Sequence, residues 1–421
     1  MTVQQKAFKS RRRYNQWVTN QTLEDFALRY TPVSARRWSA KQVVMTALSA
    51  ITFLALEAIG GALTLTYGFN YVVVAVILVS IIIFALSMPI AINAAKNGLD
   101  IDLLTRGAGF GYLGSTVTSL IYASFTFIFF ALEAAIMAMA LNMLFGLPLH
   151  FGYLIGSVVV IPLVTWGFTF ISRFQQFTQF CWLALQLLPF IFILIREHHV
   201  LQNWIDFPGF ITARDGSFDF LQLGAVCSVL LSLVSQVGEQ VDQVRFLPKP
   251  QHPARWRWYG AVIAAGPGWV VIGAIKILLG SFLAVLAFNY GLGAELASEP
   301  THMYLVAFSY VTHSSSTLLA LTGIFVVLSQ LKINVTNAYA GSIAWSNFFL
   351  RLTHRHPGRV VWLFFNVGIA LLLMELGVYR VFEDILGIYA VAATSWLGSV
   401  VADLTLNKWL KLRPAEIEFR R

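Results

Sequence analysis

Ser235-Gln236-Val237-Gly238-Glu239-Gln240 closes a stretch that runs largely apolar from Phe220, and it sets an acid, two amides and a glycine in that company. A matching place lies far upstream, where Glu57-Ala58-Ile59-Gly60-Gly61 interrupts the apolar stretch 41–66. Glycine permits backbone that a helix interior disfavours. Irregular backbone at membrane depth persists only where it is buried in protein or lines a cavity. One such run is ordinary; two in corresponding places point to an architecture.

The whole chain supports reading these stretches as membrane-embedded. Of its 421 residues, 57% are hydrophobic and 12% charged, with a mean hydropathy of +0.70. Soluble domains carry roughly 25% charged and about 45–50% apolar residues, so a water-soluble globule could not hide this much apolar surface. High apolar and aromatic content also excludes a disordered chain. Cys181 and Cys227 both lie in apolar runs, which fits neither a disulfide framework nor a metal–thiolate site.

A helix needs about 20 mostly apolar residues to cross a bilayer, and about ten segments qualify: 41–66, 70–95, 113–143, 151–171, 175–195, 220–240, 259–288, 314–340, 360–377 and 384–405. A shorter apolar stretch at 301–312 reads as an interfacial helix. Sidedness follows from Lys and Arg in the loops. Of 29 such residues, only Arg196, Arg214 and Arg380 fall on one side, Lys276 and Lys332 lie inside spans, and all the others fall on the opposite side. The basic excess, a net charge of +9, is therefore topology rather than a nucleic-acid footprint. Both termini are expected in the cytoplasm, in a cell (plasma or inner) membrane crossed many times. The expected organisation is an N-terminal cytoplasmic segment 1–40, a core 41–405 and a cytoplasmic tail 406–421.

Ten spans divide into halves of five, 41–195 and 220–405. An odd number per half forces the halves into opposite orientations, which is the arithmetic of inverted-repeat secondary transporters. In such proteins the first helix of each half is interrupted at the substrate site, as spans 1 and 6 are expected to be here.

Four stretches then resemble the nucleobase–cation symporter family of purine/cytosine, allantoin and hydantoin permeases. They are Asn20-Gln-Thr-Leu-Glu24-Asp25-Phe-Ala-Leu-Arg29-Tyr30-Thr-Pro32 before span 1; Arg106-Gly-Ala-Gly-Phe110-Gly111-Tyr-Leu-Gly114-Ser115 into span 3; Asp242-Gln-Val-Arg245-Phe246 after span 6; and Asn334-Val-Thr-Asn337-Ala-Tyr339 in span 8. In the second, the distance from Arg to Phe is one residue longer than in the family's pattern. The resemblance implies an all-α integral membrane protein with a LeuT-type core. The family usually has twelve spans, so this chain is expected to have the ten-span core and to lack the last two.

The same resemblance nominates site residues. A span 3 aromatic and an amide four residues on contact substrate in hydantoin-transporting members, and they fall on Phe129 and Glu133. Positions i and i+4 share a helix face, so both can meet one ligand, although Phe129 equally suits core or lipid packing. A mid-span carboxylate costs roughly 2.5–3.5 kcal/mol on insertion scales, which makes Glu133 a candidate for substrate contact or proton coupling. The family's second stacking aromatic falls near Leu233, which cannot stack, and Glu in place of an amide favours a ligand rich in donors or positively charged. Glu57 either faces the cavity, carries a coupling proton or pairs with Lys276. Gly60 and Gly238 mark the breaks, Glu239 lies in the second, and Asn334 matches a position that hydrogen-bonds substrate. Asp242 and Arg245, with Arg106, read as a gate or a structural ion pair. The LeuT-type sodium site takes span 1 carbonyls and span 8 hydroxyls; Ser329 supplies one hydroxyl, its neighbour Leu328 none. Coupling therefore falls to Ser329 with Na+, or to Glu57 and Glu133 with H+.

The sequence contains no phosphate-binding loop, no His/Cys metal spacing and no nucleophile elbow, so an enzyme is not expected. The expected function is a permease or symporter for a nucleobase-like or related nitrogen compound, working by alternating access. The alternative is a transporter-fold sensor that binds such a ligand without moving it. The expected partners are that small molecule and the lipid bilayer, with no nucleic acid and no obligatory protein partner. No cofactor is expected beyond a coupling cation, Na+ or H+.

Overall fold

The computed structural model describes residues 30–412 apart from 37, 198, 212–217, 250–254 and 356. Most of the N-terminal motif (residues 20–29), Arg214 and the tail from residue 413 lie outside the described residues. All regular secondary structure among the described residues is helical, and the chain is a multi-pass α-helical membrane protein.

Span 1 is two helices, 1a (Ala40–Ser49) and 1b (Ala55–Tyr67), separated by residues 50–54. Helix 1a starts on a capping box in which the Ser39 hydroxyl accepts from the Gln42 N–H while the Gln42 side chain accepts from the Ser39 N–H, satisfying two groups a helix end leaves orphaned. Span 2 is Phe69–Asn97 and span 3 Gly111–Phe145, joined through the buried turn of helix Ile101–Thr105. Span 4 is Leu149–Val158 with Val160–Thr165, and span 5 is Gly167–Arg196. Span 6 is 6a (Phe220–Leu231), a 3-10 turn Ser232–Ser235, and 6b (Gln236–Val244). Span 7 is Arg255–Ala265 and Trp269–Asn289, kinked at Gly266-Pro267-Gly268. A surface helix Pro300–Ser309 precedes span 8 (Ser315–Thr353), span 9 (Arg359–Glu375) and span 10 (Phe382–Ala402). Seven helices are long and apolar enough to cross a bilayer by themselves. Span 1 falls short because its halves have 10 and 13 residues, span 4 because it is short and divided, and span 9 because it has 17.

Three expectations need correcting. The break in span 1 lies at residues 50–54, a turn before Glu57-Ala-Ile-Gly60-Gly61, and the glycines sit inside helix 1b. They serve a crossing instead: a Cβ on Gly60 would stand 2.0 Å from the Ile277 carbonyl oxygen, and one on Gly280 of span 7 would stand 2.2 Å from the Glu57 Cα. Spans 1b and 7 thus touch backbone to backbone. The irregular turn of span 6 likewise precedes the polar run, and Gly238 lies within helix 6b, where a Cβ would meet the Tyr122 ring at 2.4 Å. The reversal between spans 4 and 5 comes at Trp166 and Gly167, so Arg173 belongs to the exposed face of span 5 rather than to a loop.

Helix 6a packs against 1b and 6b against 1a, while spans 3 and 8 lie together along much of their length. The two interruptions therefore meet near the centre of the bundle. The ends of spans 2, 6 and 8 that carry Lys96, Arg245 and Arg351 gather at one end; there Arg36, ahead of span 1, donates to the carbonyls of Ala95 and Lys96.

Candidate functional site

The opening of helix 1b has no cap of its own, since Leu54 supplies no side-chain acceptor. Other spans supply it. The Leu54 N–H donates to Gln330 Oε1 of span 8 at 3.3 Å, and the Ala55 N–H donates to Glu133 Oε1 of span 3 at 3.3 Å. A carboxylate at a helix N-terminus also meets the positive end of the helix dipole. Across the break, the Thr52 hydroxyl donates to the Ser329 carbonyl at 2.8 Å. The break is thus held by spans 3 and 8 together.

Several polar atoms here lack partners. Glu133 Oε2, Gln330 Nε2 and Asn334 Nδ2 are buried without a hydrogen bond, although Asn334 Oδ1 accepts from Asn337 at 3.4 Å. Phe129 is buried one turn below Glu133 and meets Phe53 of the break edge-on, with centroids 6.3 Å apart and planes at 88°. Phe125 lies 4.5 Å from Phe129 and stacks on Tyr389 at 6.4 Å. The Tyr389 hydroxyl shares a 2.7 Å hydrogen bond with Ser235 in the 3-10 turn of span 6. A row of rings therefore connects the two interruptions, and Leu233, where a second clamp was sought, is simply buried.

Glu57 faces span 7. Lys276 Nζ lies 2.6 Å from Glu57 Oε1, and the Tyr304 hydroxyl donates to the same oxygen at 3.2 Å. Gln186 donates to Tyr304 at 2.7 Å, and Lys276 lies 5.4 Å over the Trp182 ring. Of the three expectations for Glu57, pairing with Lys276 is the arrangement present. Trp182 in turn donates to the Ser329 hydroxyl at 2.9 Å. Three residues further on, Lys332 donates to the Gln175 carbonyl at 3.0 Å and the Thr178 hydroxyl at 2.9 Å, which sets a buried ammonium in the seam between spans 5 and 8.

Glu239, expected beside Glu133, has different company. Its Oε2 accepts from Gln236 at 2.8 Å within helix 6b. Asp242 Oδ2 accepts from the Tyr122 hydroxyl at 3.0 Å, and Arg245 stands 3.9 Å from Asp242 Oδ1 and 3.7 Å from Asp100 Oδ2. Arg245 also donates to the Tyr339 hydroxyl at 3.3 Å. Arg106 is elsewhere, its guanidinium 5.3 Å over the Tyr112 ring; the second guanidinium of this cluster belongs to Arg351, which donates to the Ser115 carbonyl and the Ser119 hydroxyl at 2.5 Å each. Sequence reading missed Phe53, Gln330, Asp100, Asp102 and Arg351. The two aspartates had one signal, two acids four and six residues ahead of Arg106 in an acid-poor chain; Phe53 and Gln330 had none.

No family profile and no curated protein sequence matches the chain. Among solved structures, a nucleobase-cation-symport-1 family transporter, Mhp1, in a closed conformation with bromovinylhydantoin bound, superposes with a TM-score of 0.68 at 16% identity, over 91% of this chain and 81% of that one. The chain has the LeuT-type fold. A Na+-coupled sialic acid symporter in a substrate-bound outward-open state gives a TM-score of 0.62 at 13% identity, over 93% of this chain and 83% of the other. At these identities the likeness is one of fold. In LeuT-type terms, the Glu133–Ala55 and Gln330–Leu54 bonds sit at the broken helix of the first repeat, and the Ser235–Tyr389 bond at that of the second.

Proposed function

We propose that the chain is a secondary active transporter of a small nitrogen-containing molecule, nucleobase-like in being planar and rich in N–H groups, and that it works by alternating access between the two repeats. The observation that carries this reading is the pair of interrupted helices with Glu133 Oε2, Gln330 Nε2 and Asn334 Nδ2 buried and unpartnered beside them. Unpaired buried polar groups cost about 1–3 kcal/mol each, and a ligand offering both donors and acceptors would recover that. Phe129, with Phe53 at right angles to it, gives a heterocycle a ring to meet. Kinship with the nucleobase–cation symporters rests on the four motifs. A cytoplasmic location of both termini is supported by the basic loops gathered at one end.

The decisive experiment is uptake into proteoliposomes of adenine, cytosine, hydantoin and allantoin, with pH and sodium gradients imposed separately. Gradient-dependent accumulation is expected. Saturable binding with no flux would favour a sensor instead. Phe129→Ala should weaken binding by about 1–3 kcal/mol, the range for base–aromatic stacking, read by ligand-induced thermal stabilisation. Unchanged affinity would make Phe129 a packing residue.

A further inference from the structure

The end of the bundle holding Arg245 carries more negative charge than its cations balance. Asp100, Asp102, Glu239 and Asp242 are all at most 1% exposed. Facing them are Arg245, between Asp100 and Asp242, and Arg351, whose guanidinium also donates to the Asp102 carbonyl at 3.4 Å. Asn347 donates to Asp102 Oδ2 at 2.6 Å and Ser119 to Asp102 Oδ1 at 2.6 Å. Arg359 lies beyond the Tyr339 ring, 5.0 Å from its centroid, donating to the carbonyls of Val164 and Thr165. Tyr122 and Tyr339 are the other titratable groups of the cluster. Four carboxylates thus share two guanidiniums directly and a third at a distance.

The imbalance is sharpest at Glu239, which among the described residues has no basic partner. Glu239 Oε1, Asp242 Oδ1 and Gln243 Oε1 are buried without hydrogen bonds, and their side chains line one small cavity with Thr336, Tyr339 and Phe168. The cavity takes no more than a water-sized guest, which excludes an organic substrate. Among the described residues no group of three or more His, Cys, Asp or Glu side chains is placed to hold a metal ion. Three acceptors with no donor between them are what a proton resolves: a protonated carboxyl donates where a carboxylate only accepts, and one charge disappears.

We propose that Glu239 and Asp242 form a proton-loading site, and that the proton held between them is the coupling ion. The inference rests on the transporter reading above. The step is a protonation alone: a proton from water at this end forms one carboxyl O–H bond, and its release restores the carboxylate. Because Asp242 also touches Tyr122 of span 3 and stands beside Arg245, loading redistributes Arg245 toward Asp100 and so reaches the contacts that close this end.

Infrared difference spectroscopy of the full chain in lipid nanodiscs, titrated from mildly acidic to mildly alkaline pH, reads a buried protonated carboxyl directly. A carboxyl C=O band that disappears on alkalinisation is expected. It should be lost in Glu239→Gln, which keeps the oxygen that Gln236 donates to, and unchanged in Glu375→Gln at the surface. Should Asp242→Asn fail to fold, Glu239→Gln still decides. Absence of the band in wild type, its persistence in folded Glu239→Gln, or its displacement by sodium in place of choline would each overturn the site. A titrating band without pH-gradient-driven uptake of adenine, cytosine, hydantoin or allantoin would leave the proton site standing and overturn the transporter reading. Such uptake without the band would do the reverse.

Discussion

Glu133 caps a helix from a different helix, and that double duty fixes what its substitution should do. Glu133→Gln keeps an oxygen for the Ala55 N–H, so the protein should fold while ligand preference changes. Glu133→Leu leaves that buried amide unpaired and should cost about 1–3 kcal/mol, visible as a lower thermal midpoint in the absence of ligand. Lys276 and Glu57 make a sharper case, because both are buried and 2.6 Å apart. Removing one partner of a buried pair costs about 3–5 kcal/mol, whereas replacing both can be close to neutral. Lys276→Met alone should therefore destabilise strongly, and Lys276→Met combined with Glu57→Leu should recover much of the loss. A double variant no better than the single one would mean that Glu57 depends on Tyr304 as much as on Lys276.

At the scale of elements, spans 1b and 7 cross with no side chain between them at Gly60 and Gly280. The atoms in the way are backbone, which cannot rotate aside. Gly280→Val should cost at least the roughly 1–3 kcal/mol of an overpacked core, and misassembly in detergent is the expected readout. The surface helix Pro300–Ser309 offers a pH test. Glu299 caps it, accepting from the N–H groups of Thr301 and His302 at 2.9 and 3.1 Å, and also pairs with the His302 ring. The hydrogen bond to Glu299 raises the His302 pKa above its ordinary value, against the opposing effect of burial. A raised folded pKa means the contribution is complete below the unfolded value and lost as pH rises through the folded one. The thermal midpoint should accordingly fall slightly over that window, and His302→Gln should flatten the fall.

Across the whole molecule, the charge cluster connects parts distant in sequence: the turn at Asp100 and Asp102, Tyr122 of span 3, helix 6b and Arg351 of span 8. Arg351→Gln loses the geometry that binds Ser115, Ser119 and Asp102 at once. Hydrogen exchange in Ile101–Thr105 should then quicken well before exchange in the spans does. Uniform protection would show that packing alone holds this end. What the amino-acid sequence determined by itself was everything that follows from transfer free energy and local chemistry: membrane residence, the approximate spans, the side on which the basic loops gather, and the division into two repeats. It also singled out Glu57, Glu133 and Glu239, because an acid at membrane depth needs a reason wherever it lies. Where span 1 breaks was decided only in the tertiary structure. Ala50-Ile51-Thr52-Phe53-Leu54 contains neither glycine nor proline, and it can leave the helix because Glu133 and Gln330, distant in sequence, accept from the amides the break exposes. The glycines that looked like a break instead serve the crossing with span 7, since a residue without a Cβ suits both purposes and only the neighbouring chain tells them apart. The partners of the acids were equally tertiary: Lys276 for Glu57, a helix end for Glu133, and an unbalanced cluster for Glu239.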